Sequence, residues 1–205
     1  MGPAGPGRGA PGKGGAMRII GGSHRGMALA APGAGDPAAH LRPTSDRVRE
    51  AIFNLLINAG HGTRINGARV LDLFAGTGAL GLEALSRGAA LSVFVDDGIA
   101  ARALLRQNIE KLRVMGVTRV FRRDATRLGE NRDAPFDLVF LDPPYGQDLG
   151  ARALLAARAG GWLAPDAQIV LEDNAPQVPP EGFSLLDQRR YGETHVTLLE
   201  CQPPP

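Results

Sequence analysis

The sequence is poor in cysteine, in aromatic residues and in long apolar runs, and each shortage excludes a class of protein. Because Cys201 is the single cysteine, the chain cannot form an internal disulfide, which fits a reducing cytoplasm. The four histidines and this cysteine have no paired ligand spacing, so we expect no metal site. There is no run of about 18 apolar residues and no leader pattern, so we expect neither a membrane span nor secretion. Nothing in the sequence demands a dimer, and we expect a monomer.

What is present suits one globular domain with a short extension. The chain has 205 residues, of which 43% are hydrophobic and 21% charged. The net charge is +2, and almost all the basic residues are arginine, whose planar fork suits phosphate. This composition permits a nucleic-acid partner without proving one. Residues 1–16 are rich in glycine, proline and alanine, and we expect a disordered tail there.

Residues 17–60 are predicted to form a small hairpin followed by a helix. Two short apolar runs flank a polar turn whose tip carries His24 and Arg25. Thr44 is a suitable cap for a helix that extends to about Asn58. The helix would have one apolar face, with Val48, Ile52, Leu55 and Leu56, and an opposite polar face, with Arg47, Arg49 and Glu50.

Residues 61–201 are predicted to form an α/β domain with a Rossmann-like, mostly parallel sheet. From Arg69 the chain alternates between strand and helix patterns, which predicts right-handed crossovers. The predicted strands lie near 69–74, 91–95, 118–122, 137–141 and 167–172, and the helices near 79–87, 99–113 and 148–158. The last two runs, 183–190 and 194–200, are joined by Tyr191-Gly192-Glu193, which indicates an antiparallel hairpin at the sheet edge. The predicted sheet therefore has seven strands.

The segment Asp142-Pro143-Pro144-Tyr145 follows the apolar strand 136–141 and has the chemistry of an amine receptor. The carboxyl ends of parallel strands are where open α/β sheets bind ligands. The Asp142 carboxylate and the Pro143 carbonyl can accept hydrogen bonds from one amino group, and neither proline has an N–H that would compete. Tyr145 offers a flat face on which a base can stack. We therefore expect this segment to receive a planar exocyclic amine.

Residues 72–81 (DLFAGTGALG) form a glycine loop between a strand and a helix. Gly76, Gly78 and Gly81 match the G-x-G-x-x-G pattern of dinucleotide-binding loops. Glycines are needed in such a loop because they let the backbone approach the ligand closely. Asp72 favours a different ligand, since a carboxylate at the strand end would repel a pyrophosphate. It would attract the ammonium and sulfonium of S-adenosylmethionine, which has no phosphate.

Two further acids follow the next strands. Asp96 lies about 20 residues beyond Gly76, where a carboxylate can bind ribose hydroxyls, and the adjacent Asp97 is an alternative. Asp124, with Ala125, follows the third strand and can accept a hydrogen bond from an adenine amino group, or simply cap the following turn. Together these acids predict that a ligand binds along one edge of the sheet, at the carboxyl ends of its strands.

Two other segments extend the pattern. Residues 17–22 (MRIIGG) and 42–54 (RPTSDRVREAIFN), with the glycine loop and the Asp-Pro-Pro-Tyr segment, resemble the bacterial 16S ribosomal RNA guanine-N2 methyltransferases that modify guanine-966. The resemblance extends over about residues 17–200. One departure is Asp96, where that family often has glutamate; a shorter side chain keeps the same chemistry.

The resemblance implies a class I methyltransferase fold, S-adenosylmethionine as cofactor and 16S rRNA of the small subunit, or its assembly intermediate, as partner. The implied catalytic residues are Asp142, Pro143, Pro144 and Tyr145. The implied cofactor-binding residues are Asp72, Phe74, Ala75, Gly76, Thr77, Gly78, Asp96, Asp124 and Ala125. The implied RNA-binding residues are His24, Arg25, Arg42, Thr44 and Arg47, although charged side chains of this kind are usually just solvated.

Three other interpretations stay open at the sequence level. A methyltransferase acting on DNA adenine would use a similar loop, but it more often has asparagine at the first position and a separate recognition region. A dinucleotide-dependent oxidoreductase is supported by the glycines alone. A non-catalytic RNA-binding module would leave Asp72 and the amine receptor unexplained.

Overall fold

The structure is a computed structural model that describes residues 17–33, 44–61, 65–144 and 148–203. The predicted N-terminal tail, Arg42 and Tyr145 lie outside the described residues.

In the described part of the chain, seven strands and four α-helices follow one another in the order that the sequence predicts. The strands are β1 (Arg69–Leu73), β2 (Leu91–Val95), β3 (Thr118–Phe121), β4 (Phe136–Leu141), β5 (Leu163–Asp173), β6 (Phe183–Tyr191) and β7 (Thr194–Cys201). The helices are α1 (Asp46–Asn58), α2 (Ala79–Ser86), α3 (Ile99–Leu112) and α4 (Leu149–Ala159). None of the helices in the described part of the chain combines the length and the apolar character that crossing a bilayer requires.

The strands form one sheet in the order β3-β2-β1-β4-β5-β7-β6. The first five strands are parallel, and β7 runs antiparallel between β5 and β6. The predicted mostly parallel sheet with an antiparallel hairpin at its edge is confirmed. The order in which successive strands are added to the sheet reverses at β1, since β2 and β3 lie on one side of it and β4 on the other. Ligands bind at such a switch point in open sheets.

The core lies on both faces of the sheet because alternate residues of each strand point in opposite directions. On one face, Val70 and Leu138 pack with α1, α2 and α3 residues such as Phe53. On the other, Leu71 and Val139 pack with α4 and with Trp162. Met17, Ile19 and Leu29 of the N-terminal segment belong to the first cluster, so this segment shares the core of the sheet.

The buried carboxylate of Glu83 in α2 binds the N-terminal segment through hydrogen bonds. Arg18 and Ala28 form an isolated antiparallel bridge, and Gly22–His24 makes a turn of 3-10 helix at the tip of the predicted hairpin. The backbone N–H groups of Ile20 and Gly21 each donate to Glu83 at 2.8 Å. Glu83 is fully buried, so these bonds fix the hairpin in place.

Two expectations for α1 are wrong. Ser45, not Thr44, is the N-cap: its hydroxyl accepts from the Val48 N–H at 3.2 Å, while the Thr44 side chain points to acids elsewhere. Arg49 does not lie on a solvated face but is completely buried. Its guanidinium forms ion pairs with Asp46 at 2.7 Å and with Glu83 at 3.7 Å. These pairs compensate for the loss of hydration that burial of the charge entails.

Candidate active site

Three of the predicted acids meet at one edge of the sheet. Asp72 lies in β1, Asp96 follows β2, and Asp142 follows β4. In the register of the sheet, Leu73 stands between Val95 and Leu141, the residues that directly precede Asp96 and Asp142. The parallel order of β2, β1 and β4 therefore brings the three carboxylates around the turn that follows β1.

These acids line a cavity of about 460 Å³, a size typical of small-molecule sites. It contains Asp72, Asp96 and Asp142 together with Thr44, Phe74, Ala75, Gly76, Thr77, Ala79, Leu80, Asp97, Gly98, Ile99, Ala100, Ala101, Pro143 and Pro144. Among these described lining residues there are four aspartates and no lysine, arginine or histidine. Such a lining is suited to a cationic ligand and ill suited to a pyrophosphate.

The glycine loop has the conformation that its residues require. Gly76 and Gly78 have φ of 55° and 78°, in the left-handed region that favours glycine. A Cβ at Gly78 would lie 2.3 Å from a methyl group of Leu105, and one at Gly81 would lie 2.5 Å from the Phe94 ring. Gly78 is the N-cap of α2 and is not among the residues that line the cavity. It therefore allows the chain to turn into the helix rather than contacting the cavity.

Asp72 is buried beneath the loop and close to like charges. Its Oδ2 accepts a hydrogen bond of 2.9 Å from the Gly81 N–H. Burial raises its pKa well above the ordinary value, the Gly81 N–H counteracts this, and Asp142 and Asp96 raise the pKa further. A cation in the cavity would stabilise the ionised form of this carboxyl.

Asp96 closes the other side of the cavity. It accepts hydrogen bonds of 2.8 Å from the N–H groups of both Gly76 and Gly98, which fixes its side chain. Burial raises its pKa, and these two N–H groups oppose the shift. Asp97 also lines the cavity, so the structure leaves either acid available to ribose hydroxyls.

Asp124 is not brought to this cavity. Its carboxylate caps a turn of 3-10 helix by accepting from the N–H of Thr126 at 2.8 Å and from its hydroxyl at 2.7 Å, and the hydroxyl is the main reason that the pKa of Asp124 is lowered. It lines a separate surface cleft with Phe121 and Trp162. Ala125 is buried in the core beside it. A contact of these residues with adenine stays a prediction.

Asp142 at the amine receptor has a partner that the sequence did not indicate. The Thr44 hydroxyl lies 3.1 Å from Asp142 Oδ2 and 3.2 Å from Glu172 Oε2. Burial raises the pKa of Asp142 to about 7 and that of Glu172 to about 8. Glu172 precedes the last residue of β5, and this position at a strand end is the only signal in the sequence that could have pointed to it.

Of the predicted RNA-binding residues, Arg47 lies in the first turn of α1, whereas His24 and Arg25 lie at the tip of the hairpin, where the His24 N–H donates to the Ser86 hydroxyl at 2.9 Å. Arg25 and Arg47 are exposed and His24 is half-buried. The side chain of Arg18 contacts Asp46 at 3.5 Å, which links the hairpin to the first turn of α1. Thr44 lies at the base of this surface but directs its hydroxyl to the two acids.

Asn108 of α3 connects the N-terminal segment to the glycine loop. Its amide donates to the carbonyl oxygens of Ala30 at 3.1 Å and Thr77 at 3.0 Å, and its oxygen accepts from the Ala30 N–H at 2.6 Å.

Among the described residues, no group of histidine, cysteine or acidic side chains is arranged to hold a metal ion.

Comparisons with known proteins identify the family of the chain. A family model described as Conserved hypothetical protein 95 matches residues 17–200. Ribosomal RNA small subunit methyltransferase D of Escherichia coli (strain K12) is 36% identical over 189 residues, with 91% of this chain and 90% of that protein covered. The protein of the same name from Haemophilus influenzae is 34% identical over 192 residues, covering 91% and 94%.

Solved structures confirm the class I methyltransferase fold. The protein yhhF of Escherichia coli is 36% identical and superposes with a TM-score of 0.75 over 93% of this chain and all of that chain. TrmN of Thermus thermophilus is 26% identical, with a TM-score of 0.62 over 80% of this chain and 51% of that one. The chain therefore belongs to the Conserved hypothetical protein 95 family, which is the methyltransferase family that the Arg-Pro-Thr and Asp-Pro-Pro-Tyr segments predicted.

Proposed function

We propose that this enzyme transfers a methyl group from S-adenosylmethionine to the exocyclic N2 of a guanine in 16S rRNA, of the guanine-966 type. The observation that carries the proposal is an acid-lined cavity that opens beside Asp142-Pro143-Pro144. The acidic lining suits a cationic methyl donor, and the Asp142-Pro143-Pro144 segment suits an amino group. The ribosomal RNA substrate rests on the names of the relatives. Such a substrate would place the protein in the cytoplasm, where we propose that it acts as a monomer.

The residues around the cavity fit the cofactor. Asp72 and Asp96 are fixed by backbone N–H groups and offer carboxylates to an ammonium and to hydroxyls. Phe74 to Thr77 supply the backbone of the turn between these acids. When bound, S-adenosylmethionine supplies a methyl group on a positively charged sulfur, and the carbon–sulfur bond breaks with its electron pair left on sulfur.

Asp142 is the residue that would receive the amine. Its Oδ2 accepts from Thr44, and no described residue donates to Oδ1. A guanine N2 has its lone pair delocalised into the ring, so hydrogen bonds from its N–H groups to Asp142 and to the Pro143 carbonyl would localise that pair. The protein would contribute mainly positioning and electrostatic stabilisation. Asp142 can then accept the proton that the amine loses.

The base must leave its stack to reach the cavity, because a paired base cannot present its amino group there. We propose that Tyr145 stacks on the extruded base, and that His24, Arg25, Arg42, Thr44 and Arg47 contact the RNA. Support comes from the exposure of Arg25 at the tip of the hairpin and of Arg47 in α1. These contacts would be mainly with phosphates, which position the RNA without reading its sequence.

The alternatives are less well supported. The lining of the cavity by four aspartates and by no basic residue, among those described, disfavours a dinucleotide. An adenine N6 acceptor uses the same kind of amine receptor, so the identity of the methylated base distinguishes it.

Replacing Asp142 tests the proposal directly. Asp142→Ala should reduce the transfer of labelled methyl groups to small-subunit particles that lack the modification by about 100-fold or more. The variant should keep the rise in unfolding temperature that S-adenosylhomocysteine produces, and NAD should produce none. Asp133→Ala is the matched control, because Asp133 is exposed and pairs with Arg119 outside this cavity. Near-normal transfer by Asp142→Ala would exclude this role.

A further inference from the structure

Three side chains from separate parts of the chain meet next to the amine receptor. Thr44 precedes α1, Asp142 follows β4, and Glu172 lies near the end of β5. The Thr44 hydroxyl is within hydrogen-bond distance of both carboxylates, at 3.1 and 3.2 Å. Thr44 and Glu172 are 7% and 4% exposed. The two acids are therefore linked through a protein hydroxyl rather than through bulk water.

The geometry of this link requires a proton on one of the two acids. A threonine hydroxyl has one hydrogen, so it can donate to Asp142 or to Glu172 but not to both. The second contact becomes a hydrogen bond only if that carboxyl donates to the threonine oxygen. Two ionised carboxylates on either side of one buried hydroxyl would also repel each other. The stable arrangement has one shared proton.

The surroundings favour Glu172 as its holder. Glu172 is almost completely buried, whereas Asp142 is half-buried and lines the open cavity. The charged groups that act on the pair from the described elements are Arg49 on Glu172, and Asp173 and Asp72 near Asp142. Arg49 would by itself favour an ionised Glu172.

Arg49 is engaged elsewhere, however. Its guanidinium contacts Asp46 at 2.7 Å, Glu83 at 3.7 Å and the Thr44 carbonyl at 3.4 Å. None of its described hydrogen bonds goes to Glu172. Its structural effect is to hold the backbone of Thr44, and therefore the hydroxyl that joins the two acids. Burial, not Arg49, decides where the proton resides.

We propose that Glu172 is a positioning residue that holds the proton shared with Asp142 through Thr44, so that Asp142 stays ionised with Oδ1 available to the substrate amine. This inference rests on the proposed function for the identity of that amine. As the amine nitrogen forms its bond to the methyl carbon, it loses one proton and retains the electron pair of that N–H bond. The proton passes to Asp142 and then to solvent, while Glu172 keeps its own proton throughout.

Paired substitutions separate this role from a purely structural one. In Glu172→Gln the amide can still donate to Thr44 and cannot ionise, so it imitates the protonated acid. We expect Glu172→Gln to keep kcat at pH 7.5 within about threefold of wild type. Glu172→Ala and Thr44→Val remove the donor or the bridging hydroxyl, and kcat should fall about tenfold or more. The affinity for S-adenosylhomocysteine should be unchanged in the two Glu172 variants, because Glu172 is not among the described residues that line the cavity.

The pH dependence of unfolding shows where the proton resides, and it requires no activity assay. The pKa of Glu172 is raised to about 8 from an ordinary value of 4.5, so the stabilisation linked to its proton is complete below pH 4.5 and is lost as pH rises through 8. We therefore expect the urea midpoint of wild type to fall between pH 6 and 8.5, and that of Glu172→Gln to fall less. An equal fall, or a Glu172→Gln variant as inactive as Glu172→Ala, would overturn the inference. If wild type methylates no RNA, the proposed function fails, and the unfolding comparison still decides where the proton resides.

Discussion

At the scale of single residues, burial controls the chemistry of the site. Asp72, Asp96 and Asp142 all lie at the carboxyl ends of parallel strands, and burial is the main reason that the pKa of each is raised. A cation bound in the cavity would stabilise the ionised form of these carboxyls. The same burial raises the pKa of Asp142 to about 7, a value suited to the proton acceptor that we propose.

The rate of methyl transfer should therefore depend on pH. The pKa of Asp142 is raised to about 7, so the ionised fraction that can accept the amine grows as pH rises through this value. At saturating cofactor and RNA, we expect kcat to increase about tenfold between pH 6 and pH 8. Single-turnover rates measured across this range test the prediction. A rate that is flat, or that falls, would contradict an ionised Asp142 as acceptor.

The acids of the cavity were predictable, and their buried partners were not. Asp72, Asp96 and Asp142 directly follow or end apolar strands, a pattern that is visible in the sequence. Thr44 contacts acids that are 98 and 128 residues away along the chain, so no local pattern indicates its partners. Arg49 resembles a solvated helix residue until the fold places Glu83 beside it.

At the scale of elements, the N-terminal segment and α2 form one unit. Glu83 accepts the N–H groups of Ile20 and Gly21 and pairs with Arg87 at 2.7 Å. Ser86 donates its hydroxyl to the Gly21 carbonyl and accepts from the His24 N–H. The predicted RNA-contacting tip is therefore fixed to the helix that begins at the glycine loop.

Alanine at Gly22 should weaken this unit. Gly22 has φ of 76°, and a Cβ there would lie only 1.8 Å from the Ser86 carbonyl oxygen. Gly26 is the matched control, since its φ is 83° but its Cβ would meet no atom within 4 Å. We expect Gly26→Ala to cost about 1–2 kcal/mol from backbone strain alone, and Gly22→Ala to cost about 2 kcal/mol more. Urea unfolding measures both, and equal costs would contradict the close packing.

The order of the elements was predictable because apolar periodicity changes clearly between strands and helices. The strand bounds agree within a few residues except in β5, which begins at Leu163 rather than near residue 167. Its first half contains Pro165 and Asp166, residues that disfavour strands, and Asp166 has φ of 61°. Tertiary pairing with β4 at Phe136 extends the strand through this irregular part.

At the scale of the whole molecule, one sheet carries both the acid-lined cavity and the N-terminal segment, on which Arg25 is exposed. The N-terminal segment shares the core of the sheet, and Asn108 joins it to the glycine loop. RNA bound beside Arg47 would lie near this cavity, because Thr44, which precedes α1, is one of the residues that line it.

Binding of the RNA should therefore depend on salt and on Arg47. If Arg47 contacts a phosphate, Arg47→Ala should weaken binding and reduce the slope of log affinity against log salt by about 1. Arg132→Ala is the control, because Arg132 is exposed in the cleft near Trp162, away from α1. Filter binding of a small-subunit RNA fragment at several salt concentrations gives both slopes. Equal slopes in wild type and Arg47→Ala would remove Arg47 from the RNA-binding surface.

The central claim is that the acid-lined cavity and Asp142 deliver a methyl group to a guanine amine. It is tested most directly by incubating the protein with labelled S-adenosylmethionine and small-subunit particles that lack the modification, and then identifying the labelled nucleoside. We expect the label to be recovered as N2-methylguanosine. Recovery of the label as N6-methyladenosine would contradict it.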